Sequence, residues 1–146
     1  TQAPVISNVD TSGTANDRIT VLWDTDELST TLLSVVEHGT SGTITVSDGA
    51  FLTSHSATVT QDNSGDAIKS ATTYSLIVES FDASGNGVIY NSSITTAAAP
   101  DIVAPGVPEN VSAEAGNAQV QVSWNAITDA DLSGYDVFQD GSQINY

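Results

Sequence analysis

Few residues in this chain have chemistry to offer. His38 and His55 are its two histidines, and neither has an Asp or Glu at the spacing a metal site would need. Their places, at the end of one alternating segment and the start of another, predict surface or edge positions. Serines are plentiful, but no Gly-x-Ser-x-Gly elbow singles one out as a nucleophile, and no phosphate loop is present. Cysteine is absent, which excludes thiol catalysis, disulfides and thiolate metal sites. On these grounds no catalytic residue, cofactor-binding residue or metal ligand is assigned, and the chain is read as a non-enzyme.

Two acidic clusters imitate cation sites. Asp82-Ala83-Ser84-Gly85-Asn86-Gly87 matches the opening of an EF-hand calcium loop, yet Ser93 stands where a bidentate Glu would close the shell. Asp129 and Asp131 in "TDADLSGY" form a second cluster, just ahead of a strand-like segment. Turns are the preferred reading of both. Asn91-Ser92-Ser93 and Asn110-Val111-Ser112 are sequons, so Asn91 and Asn110 are candidate glycosylation sites. No Arg-Gly-Asp tripeptide is present to support integrin-type adhesion.

Charge narrows the partners. Arg18 and Lys69 are the only basic residues against 18 acidic ones, for a net charge of -16. Nucleic acid and anionic membrane surfaces are excluded as partners, because both are bound through Lys and Arg. An acidic surface suits a secreted protein, high salt, or loose attraction of divalent cations. No apolar run reaches the roughly 18 residues of a membrane-spanning helix. Thr1 opens on mature-looking sequence, so any leader is expected to have been removed.

The elements that must hold these residues are strands. The 19 Ser and 18 Thr of the 146 residues favour exposed strand faces and turns. In "ITVLWDT" Ile19, Val21 and Trp23 share one face, and in "TYSLIVESFDA" Tyr74, Leu76 and Val78 do. "VISNV", "LLSVVEHG", "HSATVTQ" and "GVIYNSSITT" add further strands. Turn signals separate them at Ser12-Gly13, Ser41-Gly42, Asp48-Gly49, Asn63-Ser64-Gly65 and Ser84-Gly85-Asn86-Gly87. About seven short strands in the first ~95 residues predict an all-β, antiparallel, Ig-like β-sandwich.

A Pro/Ala-rich stretch follows, and then the pattern restarts. "VQVSW" ends at Trp124, 101 positions after Trp23, and Asn110-Val111 lies 102 positions after Asn8-Val9. An internal repeat of this length marks a second copy of one structural unit.

On these residues the chain resembles the fibronectin type III family. "VPENVSA", "VQVSW" and "DLSGYDVF" carry the resemblance in the second copy, and Trp23, Ile68 and "TTYSLIVESFDASGNG" carry it in the first. "TDELSTT", "TSHS", "DASGN" and Gly39 are similar to the kind found in bacterial and archaeal surface proteins and secreted hydrolases. His38 departs from it, since an aromatic residue usually precedes that glycine. The resemblance implies buried tryptophans at 23 and 124 and a tyrosine corner at Tyr74. It also implies one complete module over residues 1–97, a linker over 98–107, and the N-terminal half of a second module over 108–146.

The function expected is that of a non-catalytic extracellular or cell-surface module of a structural, adhesion, surface-layer or filament protein. Its partners would be other copies or neighbouring modules, with no nucleic acid, no membrane insertion and no cofactor. The alternative is an accessory region of a secreted hydrolase whose catalytic domain lies elsewhere. A half-module of about 43 residues without cysteine should not fold alone. Its Val120, Val122, Trp124, Tyr135 and Val137 would face water unless a longer parent protein or a neighbouring chain covered them.

Overall fold

Alternating inward and outward residues make most of the first hundred residues into strands, and the computed structural model, which describes residues 2–144, shows where each strand turns its apolar side. Among the described residues there are strands and turns and no helix. The chain divides into two compact units, Thr1–Pro100 and Asp101–Tyr146.

The first unit holds β1 (Ile6–Asp10), β2 (Ile19–Glu37), β3 (Thr43–Val59), β4 (Thr73–Phe81) and β5 (Gly87–Thr95), all paired antiparallel. β2 is long because it serves two layers. Up to Asp24 it lies between β1 and residues 54–59 of β3; from Thr31 it lies between residues 43–48 of β3 and β4. Register shifts between Asp24 and Thr31 mark the passage, and β5 extends the second layer beyond β4. The result is an antiparallel Ig-like β-sandwich.

Five elements therefore replace the seven short strands expected, because β2 and β3 each run through both layers. Asp48-Gly49, read as a turn, lies inside β3, where it bends the strand between layers. Asp48 Oδ1 accepts the Ala50 N–H at 2.9 Å, a local bond that marks the bend without reversing the chain.

Odd-numbered residues of β2 and even-numbered residues of β4 point inward. Ile19, Val21, Trp23, Leu33 and Val35 meet Leu76 and Val78, with Ala57, Val59, Ile68 and Tyr74 completing one cluster. Burying each aliphatic side chain contributes about 1.5–3 kcal/mol. The Tyr74 hydroxyl accepts the Lys69 N–H at 3.0 Å, five residues upstream, forming the expected tyrosine corner.

The second unit holds two separate hairpins. β6 (Ser112–Gly116) pairs with β7 (Gln119–Ser123), and β8 (Phe138–Gln139) pairs with β9 (Ser142–Gln143). The second hairpin turns at Asp140-Gly141 with φ of 50° and 82°. Positive φ at both central residues is the type I′ geometry that Asp-Gly favours. The strand-like segment that follows Asp129 and Asp131 is reduced to two paired residues, because among the described residues only β9 pairs with it.

Trp124 is the larger correction. It is half-buried rather than a core residue, and no side chain in residues 101–144 is fully buried. Its ring leans on Tyr135 at 5.0 Å, and the Tyr135 hydroxyl accepts the Ile127 N–H at 2.8 Å.

Candidate functional site

The first unit's most concentrated chemistry is a buried group of hydroxyls around an imidazole. The inward stripe of β2 carries polar residues where the strand changes layers, so Thr25, Ser29 and Thr31 are buried beside His55 of β3. Thr25 Oγ1 donates its proton to the Glu27 carbonyl at 2.8 Å and accepts from Ser29 Oγ at 3.0 Å. It therefore faces His55 Nε2, 3.0 Å away, as an acceptor, and Nε2 carries the proton. Nδ1 accepts from Thr31 Oγ1 at 2.8 Å. Burial lowers the His55 pKa, against a smaller raising influence from Asp24, and so favours this neutral form.

This corrects the surface reading of His55. Its ring is 3% exposed and lies parallel to Trp23, with centroids 5.2 Å apart. Trp23 in turn donates its indole N–H to Ser80 Oγ on β4 at 3.1 Å. Every buried polar side-chain atom among the described residues has a hydrogen-bond partner. An imidazole enclosed by hydroxyls ties β3 to the part of β2 that passes from one layer to the other.

His38 is exposed and bonds Ser75 Oγ at 3.1 Å. The two histidines are thus not brought together.

The Asp82 cluster is a closed turn. Oδ1 accepts the N–H groups of Ser84 and Asn86 at 2.8 and 2.9 Å, and Oδ2 accepts the Asn86 side-chain amide at 2.7 Å. That amide, followed by the backbone donors, holds the Asp82 carboxyl below its usual pKa. Gly85 takes φ of 83°, a conformation a β-carbon would strain. Asp62-Asn63-Ser64-Gly65-Asp66 repeats the same construction, with Asp62 Oδ1 accepting from Ser64 and Asp66 at 2.8 and 3.0 Å. Asp129 Oδ2 accepts the Gly106 N–H at 2.8 Å. Among the described residues no three acidic or imidazole side chains converge on a point that could hold a metal.

A cleft of about 250 Å³ opens beside Lys69 and is lined by Glu37, Asp62, Asn63 and Tyr74 among others. Glu37 spans the Lys69 ammonium with both oxygens at 2.8 Å, and this pair raises the lysine's pKa. The other cation, Arg18, lies 3.5 Å from Asp17. Asn91 on β5 and Asn110 ahead of β6 are both exposed, as a glycan acceptor must be.

The remaining feature is apolar. β6 and β7 place Ala113 opposite Val122 and Ala115 opposite Val120, so one face of the hairpin is apolar and the other polar. Val120 and Val122 are 64% and 38% exposed, whereas Ile19 and Val21, 101 positions earlier, are 0% exposed. Adjoining hollows of about 200 and 670 Å³ run along this face past Trp124, Tyr135, Phe138 and Ile144. The apolar stripe was legible from alternation. The His55 cluster was missed, although Thr25, Ser29, Thr31 and His55 all fall on inward positions of their strands.

The fold has known counterparts. One solved structure, described as a myokine structure, matches with a TM-score of 0.52 at 18% identity, over 66% of this chain and 97% of that one. The fibronectin type III domain of the human collagen alpha-1(XX) chain matches with a TM-score of 0.51 at 16% identity, over 73% of this chain and 91% of that one. No family model and no curated protein matches the sequence. At these identities the likeness concerns the fold alone, an Ig-like β-sandwich of the fibronectin type III kind.

Proposed function

We propose that the chain is a non-catalytic extracellular module of a bacterial or archaeal surface protein, with a structural or adhesive role. Its partners are neighbouring modules or other copies within the same assembly. The observation that carries this reading is the contrast between the two units. The first encloses the His55 cluster in a finished core, and the described residues of the second leave an apolar strand face exposed. Apolar strand faces are surfaces for other polypeptides, not for small polar substrates. The net charge of -16 and the exposed sequons at Asn91 and Asn110 suit a surface exposed to water and salt.

The runs "TDELSTT", "TSHS" and "DASGN" favour a second reading, an accessory region of a secreted hydrolase. Protease treatment of intact source cells, followed by mass spectrometry of the released protein, tests both. Release from intact cells with further strand modules attached supports the structural reading. Attachment to a hydrolase domain supports the second, and release only after lysis contradicts both.

A further inference from the structure

Packing fixes Gly87. It opens β5 opposite Phe81, and a β-carbon here would collide with the Phe81 ring, so only glycine fits. The turn before it fixes Asn86. The Asn86 side-chain amide donates to Asp82 Oδ2 at 2.7 Å, and its backbone N–H donates to Asp82 Oδ1 at 2.9 Å. Its carbonyl accepts the Asp82 N–H at 3.0 Å. Two separate demands thus put Asn directly before Gly, a pairing that occurs once in the sequence. The pair is chemically labile, because no glycine side chain shields the backbone nitrogen from the neighbouring amide carbon. Asp82 and Asn86 form the hydrogen-bonded end of the hairpin. In the next pair along, the Gly87 N–H therefore points away from β4, on the outer strand of its layer.

We infer that Asn86 is a deamidation site and that the Asp82 carboxylate holds it shut. In the reaction the Gly87 nitrogen gives up its proton and attacks Asn86 Cγ. A Cγ–N bond forms, the Cγ–Nδ2 bond breaks and ammonia leaves. Water then opens the cyclic imide at either carbonyl, leaving an aspartyl or isoaspartyl residue at position 86. To close the ring, Asn86 must turn about its Cα–Cβ or its Cα–C bond. The first turn breaks the bond from Nδ2 to Asp82, and the second breaks the bond between its carbonyl and the Asp82 N–H. The leaving nitrogen is itself the atom that Asp82 Oδ2 holds. Once the amide is lost, a carboxylate faces Asp82 where a donor stood, in a chain already at -16. The turn exchanges a charge-assisted bond for a repulsion. An isoaspartyl link also lengthens the backbone ahead of β5, where Gly87 must stay in register with Phe81.

Incubation of the whole chain in mildly alkaline buffer, followed by peptide mapping with mass spectrometry, reads the loss of the Asn86 amide. A synthetic peptide of residues 82–90, "DASGNGVIY", is too short to keep a hairpin and gives the unrestrained rate. The whole chain should react more slowly than the peptide. Asp82→Ser leaves one oxygen to accept the N–H groups of the turn but removes the acceptor of the amide. It should speed the reaction by about 10–100-fold, the strength of one charge-assisted hydrogen bond. Gly85→Ala strains the same turn, where φ is 83°, yet keeps both Asp82 oxygens, and should speed the reaction far less. Asn86→Asp stands in for the product and should melt lower than the parent, by a margin that narrows as salt rises. Three results would overturn the inference. One is a whole chain that reacts as fast as the peptide. Another is an Asp82→Ser variant no faster than the parent or than Gly85→Ala. The third is an Asn86→Asp variant that melts with the parent at low salt.

Discussion

The Trp23 indole N–H and the Ser80 hydroxyl oxygen lie 3.1 Å apart, in a bond that ties the layer of β1 to the layer of β5 through the middle of the core. Trp23 sits on the part of β2 that pairs with β1, and Ser80 sits on β4. Both residues are 1% exposed or less. Trp23→Ala should cost about 3–5 kcal/mol, the usual range for a large aromatic removed from a core. Ser80→Ala leaves a buried donor unpaired and should cost about 1–3 kcal/mol. Urea unfolding of both variants measures this. Equal stability of Ser80→Ala and the parent would show that the bond contributes nothing.

Tyr74→Phe removes the acceptor of the Lys69 N–H and should cost about 0.5–1.5 kcal/mol. The aromatic ring stays, so the core volume is kept and the loss reports on the corner alone. Chemical denaturation with an unchanged slope is the expected signature.

His55 makes stability depend on pH in a direction that follows from its burial. Its pKa is lower in the folded chain than in the unfolded one, so the unfolded chain binds the extra proton first. The stabilisation is full above the unfolded value of about 6.5 and declines as pH falls below it towards the folded value. Asp10, Asp24 and Asp82, all lowered by hydrogen bonds, contribute stability that is present above their unfolded values and lost at more acidic pH. The two windows are therefore separate. Thermal melting of the parent and of His55→Gln at about pH 7.5 and about pH 5.5 should show the larger fall in the parent. Parallel falls would mean that His55 is not the titrating group.

Much of this architecture was open to a reading of alternation and turns, and the exceptions have physical causes. Trp23, Tyr74 and the Asp140-Gly141 turn follow from local pattern, because alternation and turn chemistry act over a few residues. The joining of "ITVLWDT" and "LLSVVEHG" into one strand does not, since a strand changing layers looks in sequence like two strands and a break. His55 was read by its type, as a polar residue, when its inward position in β3 was the better guide. Trp124 shows the opposite failure. Its pattern is that of a core residue, but burial depends on strands that pair from a distance in sequence. The described residues of the second unit do not supply them.

Salt should stabilise the chain. Repulsion among 18 carboxylates with two cations is strong at low ionic strength. Raising NaCl from about 10 mM to about 1 M shortens the screening length from roughly 30 Å to 3 Å and should raise the melting temperature. Millimolar calcium should add little beyond this, because both Asp82 oxygens already accept bonds from their own loop. A shift specific to calcium and absent with magnesium would promote the aspartates to a site.

The central claim is that the same strand pattern is finished in the first unit and, over the described residues, open in the second. Amide hydrogen exchange on the isolated chain tests it most directly, residue by residue. Amides of β2 and β4 should exchange only on global unfolding, and those of β6 and β7 should exchange orders of magnitude faster. Protection of β6 and β7 equal to that of β2, in a chain shown to be monomeric, would contradict the account.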